Sequence, residues 1–233
     1  MYLTSIFADP ERLERLITIA QSSLLPLMKG ALYNTIPLTL ISFSIGLVIA
    51  VLTALARISG IKPLQIIARI YVSIIRGTPL LVQLFIIFYG LPSAGITIDP
   101  FPAAVIGFSL NMGAYSSEII RAAILSIPKG QWEAAYSMGM TYPQAIKRII
   151  LPQASRVSIP PLSNSFISLV KDTSLASLIL VAEMFRKAQE IAATNYEFLL
   201  LYIQAAMLYW VICFGLSLVQ GQLERRLDRY IAK

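Results

Sequence analysis

Residues 126–156 read SIPKGQWEAAYSMGMTYPQAIKRIILPQASR and form the longest polar segment between the apolar runs of the chain. Pro128 precedes a predicted short helix over residues 131–138. Gly139 follows it, and glycine readily takes the left-handed conformation that ends many helices. The segment is therefore predicted to begin as a short helix that stops at a turn.

A second short helix is predicted after this turn. Thr141, with Gln144 three residues later, has the spacing of a capping box, and Pro143 fits a first helical turn. Pro152 is predicted to end the helix. Lys147 and Arg148 lie opposite an apolar stripe of Ala145, Ile146, Ile149 and Ile150. Such a hairpin suits the docking of a soluble partner, and it equally suits a hairpin that rests on a membrane.

Long apolar runs flank this segment. Hydrophobic residues make up 57% of the chain and charged residues 13%, whereas soluble domains carry about 25% charged residues. A helix needs about 20 apolar residues to cross a bilayer, and no run alternates in polarity as a barrel strand would. We predict an all-α membrane protein with five transmembrane helices, over about residues 31–56, 69–91, 101–125, 157–182 and 197–221.

The ends of the chain differ from this membrane domain, which spans residues 30–221. Residues 1–29 are predicted to form an amphipathic helix, which either lies in the membrane interface or packs against the bundle. Neither placement makes it a sixth span. Residues 222–233 are a basic tail.

Basic residues are distributed unevenly between the two sides of this topology. One side carries Arg12, Arg15, Lys29, Arg186 and Lys187, and the other carries Arg57, Lys62, Arg69, Arg76, Arg121, Lys129, Lys147, Arg148, Arg156, Arg225, Arg226, Arg229 and Lys233. Short cytoplasmic loops collect Lys and Arg. The N-terminus is therefore predicted outside and the C-terminus in the cytoplasm. The net charge of +7 fits an anionic inner leaflet and does not indicate nucleic acid.

Several kinds of chemistry lack the residues they need. The chain has no histidine and one cysteine, Cys213, so Cys/His metal sites and Ser-His or Cys-His nucleophile pairs are excluded. No phosphate-cradling glycine loop is present. We expect no metal, no catalytic residue and no cofactor bound by this chain.

Two charged residues fall inside a predicted span. Lys171 and Asp172 are predicted near the middle of the fourth span, where a charge costs about 3 kcal/mol. They form either a polar clamp between helices or part of a passage for a polar solute. Ser174 and Asn164 could add hydrogen bonds, and Glu118 and Arg121 on the third span are further intramembrane candidates.

A helix break is predicted inside the second span. Pro79 removes a backbone hydrogen bond, and Gly77 and Thr78 precede it. In lipid, the freed carbonyl must find another donor, from Thr78 or from a neighbouring helix.

Residues 126–156 resemble the EAA loop of ABC-importer permeases. The resemblance rests on the spacing of Glu133-Ala134-Ala135, Gly139, Ile149 and Leu151-Pro152. It extends over about residues 30–229. Further matches to the polar-amino-acid branch of that family are Arg76-Gly77-Thr78-Pro79-Leu80, Glu118-Ile119-Ile120-Arg121-Ala122-Ala123-Ile124, Pro152-Gln153-Ala154 and Lys171-Asp172-Thr173-Ser174-Leu175.

The resemblance implies a type I importer permease fold and a function in amino-acid import. It makes residues 126–156 the loop that couples the permease to the ATPase, and we call them the coupling loop. Implied partners are a second permease subunit, with a homodimer favoured over a heterodimer, two cytoplasmic ATPase subunits that bind ATP and Mg²⁺, an external amino-acid-binding protein and membrane lipid.

The resemblance identifies the family more specifically than it identifies the substrate. Residues 90–229 most resemble the cystine-transporting members, and glutamine, arginine or histidine import stays open. A secondary transporter would carry its own ion site and usually an internal repeat, which we do not find. An integral membrane enzyme would need convergent acid-base groups at one depth, and only scattered carboxylates are present.

Overall fold

The first half of the bundle begins with an unusually long helix. The computed structural model describes residues 10–228. Helix α1, Pro10–Gly30, continues through a π-helical turn, Ala31–Thr35, into α2, Ile36–Ile58. Together they make one helix of 49 residues, so the first predicted span, 31–56, is joined to the amphipathic segment without a loop.

The second apolar run folds as two helices. Helix α3, Lys62–Gly77, ends before Thr78, and α4 begins at Leu80 and continues through π and 3₁₀ turns to Ala94. The two parts are bent by 103°. The predicted span over 69–91 therefore contains a sharp bend, which lies at the helix break predicted over Gly77-Thr78-Pro79.

Helix α5, Pro100–Leu125, lies at the centre of the bundle. It packs closely along α2, because small residues let the two backbones approach. A Cβ atom added to Gly46 would lie 2.8 Å from the Cβ of Met112, and one added to Gly113 would lie 2.6 Å from Cγ2 of Ile49. Any larger side chain at either glycine would push α2 away from α5.

The coupling loop contains two short helices and leads directly into the next long helix. Helix α6 covers Lys129–Ser137 and α7 covers Tyr142–Ala145. A π turn, Ile146–Ile150, then continues into α8, Leu151–Asp172. The backbone amide of Thr141 donates to the Gln144 side chain at 2.9 Å, as the capping box requires.

Pro152 was predicted to end the second helix of the loop, and this prediction is wrong. Pro152 occupies the first turn of α8, directly after the π turn. A proline is tolerated at a first helical turn, where its missing N–H costs least. The Gln153 side-chain amide also donates to the carbonyl of Ile149 at 3.0 Å and satisfies that acceptor.

The fourth predicted span, 157–182, is not one continuous α-helix. Helix α8 ends at Asp172, and a 3₁₀ segment, Thr173–Ile179, follows it. Lys171 and Asp172 therefore lie at the end of a helix and not in the middle of one. The remaining elements are α9, Met184–Asn195, and α10, Phe198–Asp228, which extends the fifth predicted span into the basic tail. Arg229 and Lys233 lie outside the described residues.

The number of membrane crossings is only partly settled by helix length and composition. Among residues 10–228, two helices are long and apolar enough to span a membrane, and up to four if each bent pair is one span. Helix α5 is not among them. It carries Ser109, Ser116 and Ser117, which are buried by neighbouring helices. The count of five spans stays a prediction.

Helix α1 packs against the second half of the chain. Ile19 contacts α9 and α10 in one apolar cluster, and Leu27 belongs to a second cluster with residues of the same helices. The Ser23 hydroxyl donates to Oε1 of Gln204 at 2.7 Å, and Nε2 of Gln204 donates to the carbonyl of Ala20 at 2.8 Å. The amphipathic segment thus packs one narrow face against the bundle, while Leu13, Ile17 and Leu24 stay exposed, so its predicted place in the membrane interface stays open.

Glu183 joins three helices at one end of the bundle. Its side chain is fully buried and caps α9, accepting from the backbone amides of Phe185 at 2.8 Å and Arg186 at 2.6 Å. The hydroxyl of Tyr209 on α10 donates to the same carboxylate at 2.8 Å. The Thr35 hydroxyl, directly before α2, accepts from the amide of Met184, the first residue of α9, at 3.3 Å. A buried charge of this kind is tolerated only when donors surround it.

We expect Glu183→Ala to lower the free energy of unfolding by about 2–4 kcal/mol, because two helix amides and one phenol would lose their acceptor. The thermal midpoint of the purified protein in detergent measures this loss. Glu190→Ala is the matched control, since Glu190 lies on the same helix but forms only exposed ion pairs with Arg186 and Lys187, worth at most about 1 kcal/mol. Equal losses in the two variants would contradict the anchoring role.

Candidate functional site

The coupling loop is fixed to the ends of three long helices. Trp132 and Ile149 pack against a buried cluster that joins Ile127 and Ile150 of the loop to residues of α2, α5 and α8, namely Ala50, Ala54, Ile120, Ala123, Ile124 and Ala154. The Trp132 ring stacks on Tyr142, with centroids 5.8 Å apart. The Tyr142 hydroxyl donates to the carbonyl of Ile58 at 3.3 Å. A force on the loop would therefore reach all three helices.

The three EAA residues divide between two faces of α6. Glu133 and Ala134 are exposed, and Ala135 is fully buried beneath them. The Ala135 methyl group fills the interior of the loop, so Glu133 and Ala134 are the members of the motif that face outward. Ile149 and Leu151 are half-buried and Pro152 is exposed.

Gly139 ends α6 in a Schellman motif. Its φ angle is +74°. Its amide donates to the carbonyl of Tyr136 at 2.9 Å, and the next amide, of Met140, donates to the carbonyl of Ala135 at 3.1 Å. These are the two bonds that define the motif. An added Cβ would have no atom within 4 Å, so the requirement for glycine comes from the backbone angle alone.

A polar cleft opens at the break between α3 and α4, and we call it the break cleft. Its volume is about 480 Å³. It brings together four residues singled out from the sequence, Thr78 and Pro79 at the break and Asn164 and Asp172 on α8. Asn111 and Tyr115 of α5, with Ser165 and Ser168 of α8, complete its polar lining. Gly77 adjoins the break but does not line the cleft.

The break is held by one buried side chain, Gln83. Its Nε2 donates to the carbonyl of Ile75 at 2.7 Å and lies 3.1 Å from the carbonyl and 2.9 Å from the hydroxyl of Thr78. Its Oε1 accepts from Asn111 on α5 at 3.2 Å. Thr78 itself donates to the carbonyl of Ile74 at 2.9 Å. The carbonyls freed by the break are thus satisfied within the protein.

Lys171 and Asp172 do not share a cleft. Lys171 and Ser174 line a second cleft of about 560 Å³ between α8, α9 and α10, which we call the aromatic cleft; its other lining residues are Phe185, Tyr202, Ala206, Tyr209, Trp210 and Cys213. The Ser174 hydroxyl donates to the carbonyl of Lys171 at 2.8 Å. Neighbours on a helix point about 100° apart, which explains the separation.

Glu118 and Arg121 belong to a separate ionic cluster. Arg121 donates to Oε2 of Glu118 at 3.1 Å and 3.0 Å, and Arg57 forms an ion pair with Oε1. Arg76 approaches the same oxygen at 3.7 Å and lies over the ring of Tyr115, 5.2 Å from its centroid. Three guanidinium groups therefore share one carboxylate.

Sequence reasoning missed Gln83, Arg57 and Arg76 as parts of these sites. Gln83 is the one amide side chain in the apolar run 80–91, and a lone polar residue in such a run is a usable signal of an internal partner. Arg57 served only to assign the sidedness of the loops, and Arg76 also entered the family resemblance. Their convergence on Glu118 depends on how α2, α3 and α5 pack, which no sequence pattern predicted.

These features define a class of protein: a helical membrane subunit with a polar cleft at a helix break and a docking loop fixed to its helix ends. Residues 45–229 match the model of the family described as "Binding-protein-dependent transport system inner membrane component". The chain belongs to this family, and the resemblance found in the coupling loop is confirmed. It is a multi-pass protein of the bacterial inner membrane.

Relatives and solved structures agree with this assignment. The chain is 65% identical over 216 residues to the L-cystine transport system permease protein TcyB of Bacillus subtilis, covering 92% of each chain. It is 40% identical to the glutamine transport system permease protein GlnP of Escherichia coli K12, covering 87% of this chain and 94% of the relative. A crystal structure of an amino acid ABC transporter with histidines has a TM-score of 0.80 and 36% identity, covering 94% of this chain and 99% of that one.

We expect Gly139→Val to abolish transport while the protein still inserts in the membrane. A left-handed conformation costs a residue with a Cβ roughly 1–2 kcal/mol, so α6 would end differently and present Glu133 and Ala134 at the wrong angle. Gly139→Asn, which tolerates this conformation, should keep most of the activity. Uptake and the yield of co-purified ATPase measure the effect. Normal values for Gly139→Val would contradict the role of this turn.

Proposed function

We propose that this chain is the permease subunit of an ATP-driven importer for L-cystine. The observation that carries the substrate is the 65% identity to a permease whose name states L-cystine transport. The sequence contains no phosphate-cradling glycine loop, and in this proposal two partner ATPase subunits bind ATP and Mg²⁺. A separate binding protein delivers the amino acid on the outer side.

The coupling loop supports ATP coupling by its packing. Its exposed face, with Glu133 and Ala134, would contact the ATPase in the cytoplasm, and the basic residues of the loop favour that side. Because Trp132 and Tyr142 hold the loop to the ends of α2, α5 and α8, movement of the ATPase would shift these helices together. Such rigid-body motion between two packings gives alternating access.

The break cleft is the part of the chain best suited to line the passage. Asp172 is exposed in the cleft, and no ion pair or hydrogen bond joins it to another residue between positions 10 and 228. A clamp would need such a partner. The Asp172 carboxylate suits the ammonium groups of cystine, and the side-chain amides of Asn111 and Asn164 can donate to the carboxylates of cystine.

Uptake of radiolabelled L-cystine in cells that lack this chain tests the substrate. We expect uptake to be lost and to return when the chain is expressed from a plasmid. Unlabelled glutamine, arginine and histidine, each in excess, should leave most cystine uptake intact. Restored uptake of one of these three amino acids, without cystine uptake, would overturn the substrate assignment.

Asp172→Asn tests the passage. The variant should reduce cystine uptake at least about tenfold while the thermal midpoint of the protein changes little, because a charge that contacts substrate is lost and no internal partner is orphaned. Asp99→Asn removes the same charge from the exposed start of α5 and should keep full uptake. A lower thermal midpoint with proportionate loss of uptake would instead indicate a clamp.

A pair of permease subunits would enclose the passage, because the break cleft is open on one side of the single chain. We favour two copies of this chain, since each carries a complete coupling loop. Native mass spectrometry of the purified importer should show two copies. One copy paired with a different permease would overturn the homodimer.

A further inference from the structure

Helix α3 has three distinct faces. Ala68 and Val72 are buried against the bundle. Ile66, Ile67, Ile70 and Ile74 point away from it, and each is more than half exposed. Along the edge between these faces run Lys62, Arg69 and Arg76, each seven residues from the next, so that all three lie within about 40° of one another around the helix.

This arrangement is typical of a helix that lies in a membrane interface. Such helices bury an apolar face among the acyl chains and keep a basic row at the level of the headgroups. The 103° bend turns α3 nearly perpendicular to α4. Four exposed isoleucines beside a basic row match the acyl chains and headgroups of a phospholipid.

The basic row ends at an unbalanced group of charges. Arg57, Arg76 and Arg121 surround the single carboxylate of Glu118, which leaves two positive charges without a counter-charge in the cluster. Arg57 and Arg121 hydrogen-bond that carboxylate, whereas Arg76 stays 3.7 Å from it and its side chain is 43% exposed. Among residues 10–228, Arg76 forms this long ion pair and a contact with the Tyr115 ring but no hydrogen bond, so its N–H donors can bind an external anion.

We propose that α3 is a binding site for an anionic phospholipid, with Arg76 and Arg69 holding the headgroup phosphate and the exposed isoleucines contacting the acyl chains. A guanidinium group matches phosphate oxygens by paired hydrogen bonds. The lipid supplies the counter-charge that Glu118 alone does not. Because Arg76 directly precedes the break, a bound lipid would also fix the position of α3 beside the break cleft.

Native mass spectrometry of the full chain, purified in detergent with the subunits that accompany it, tests the proposal. Equal amounts of phosphatidylglycerol and phosphatidylcholine are added, and the retained lipids are counted. We expect selective retention of phosphatidylglycerol. The double variant Arg69→Gln/Arg76→Gln should weaken its retention on the order of 25-fold, since each basic residue near a charged headgroup is worth about fivefold.

Two further variants distinguish lipid binding at α3 from a general attraction of anionic lipid to positive charge. Arg225→Gln/Arg226→Gln removes two exposed charges from the end of α10 and should keep full lipid retention. Arg76→Lys keeps the charge and should restore most of the retention lost in Arg76→Gln. Thermal midpoints near that of the unmodified protein show that the variants fold.

Three results would overturn the proposal. Equal retention of phosphatidylglycerol by the unmodified protein and the Arg69→Gln/Arg76→Gln variant would show that these arginines do not bind the lipid headgroup. Stabilisation by inorganic phosphate, to the same extent as by phosphatidylglycerol, would show a site for free phosphate and not for lipid. Loss of the co-purified ATPase in that variant, with lipid retention unchanged, would assign the basic row to a protein partner.

Discussion

The fold depends on the requirement that a backbone polar group inside a membrane finds its hydrogen bond within the protein. The Gly77-Thr78-Pro79 break violates the regular helical pattern inside an apolar run, and the Gln83 amide repairs it by donating to the carbonyls of Ile75 and Thr78. Because the same side chain accepts from Asn111, the repair also fixes the bend against the central helix α5. The break cleft and the angle between α3 and α4 both lie at this contact.

Composition and local spacing predicted the helical membrane fold, the coupling loop and its capping box, because these depend on residues close in sequence. The sequence also predicted the break at Gly77-Thr78-Pro79, but not the size of the bend or the switch to 3₁₀ geometry after Asp172, because tertiary partners decide both. Pro152 was also misinterpreted from the sequence. A proline that the sequence predicts at the end of a helix lies in the first turn of α8, directly after a π turn.

The site was predicted in parts. Asp172, Asn164 and Thr78 were named from the sequence, yet only the structure brings them into one cleft. Lys171 and Ser174 were named with them and lie in the aromatic cleft. One helix, α8, thus connects three features: it receives the coupling loop at its start, lines the break cleft along its length and separates the two charges at its end. This continuity is the physical route by which movement at the loop would alter the cleft.

The central claim is that Gln83 holds the bend between α3 and α4, and a distance across that bend tests it most directly. Spin labels at the exposed positions Ile67 and Ile86, in a chain with Cys213→Ala, report this distance by pulsed electron spin resonance. We expect a single narrow distribution, and a broad or shifted one when Gln83→Leu is added, because the Ile75 and Thr78 carbonyls would then lack a donor. An unchanged narrow distribution in the Gln83→Leu protein would contradict the account.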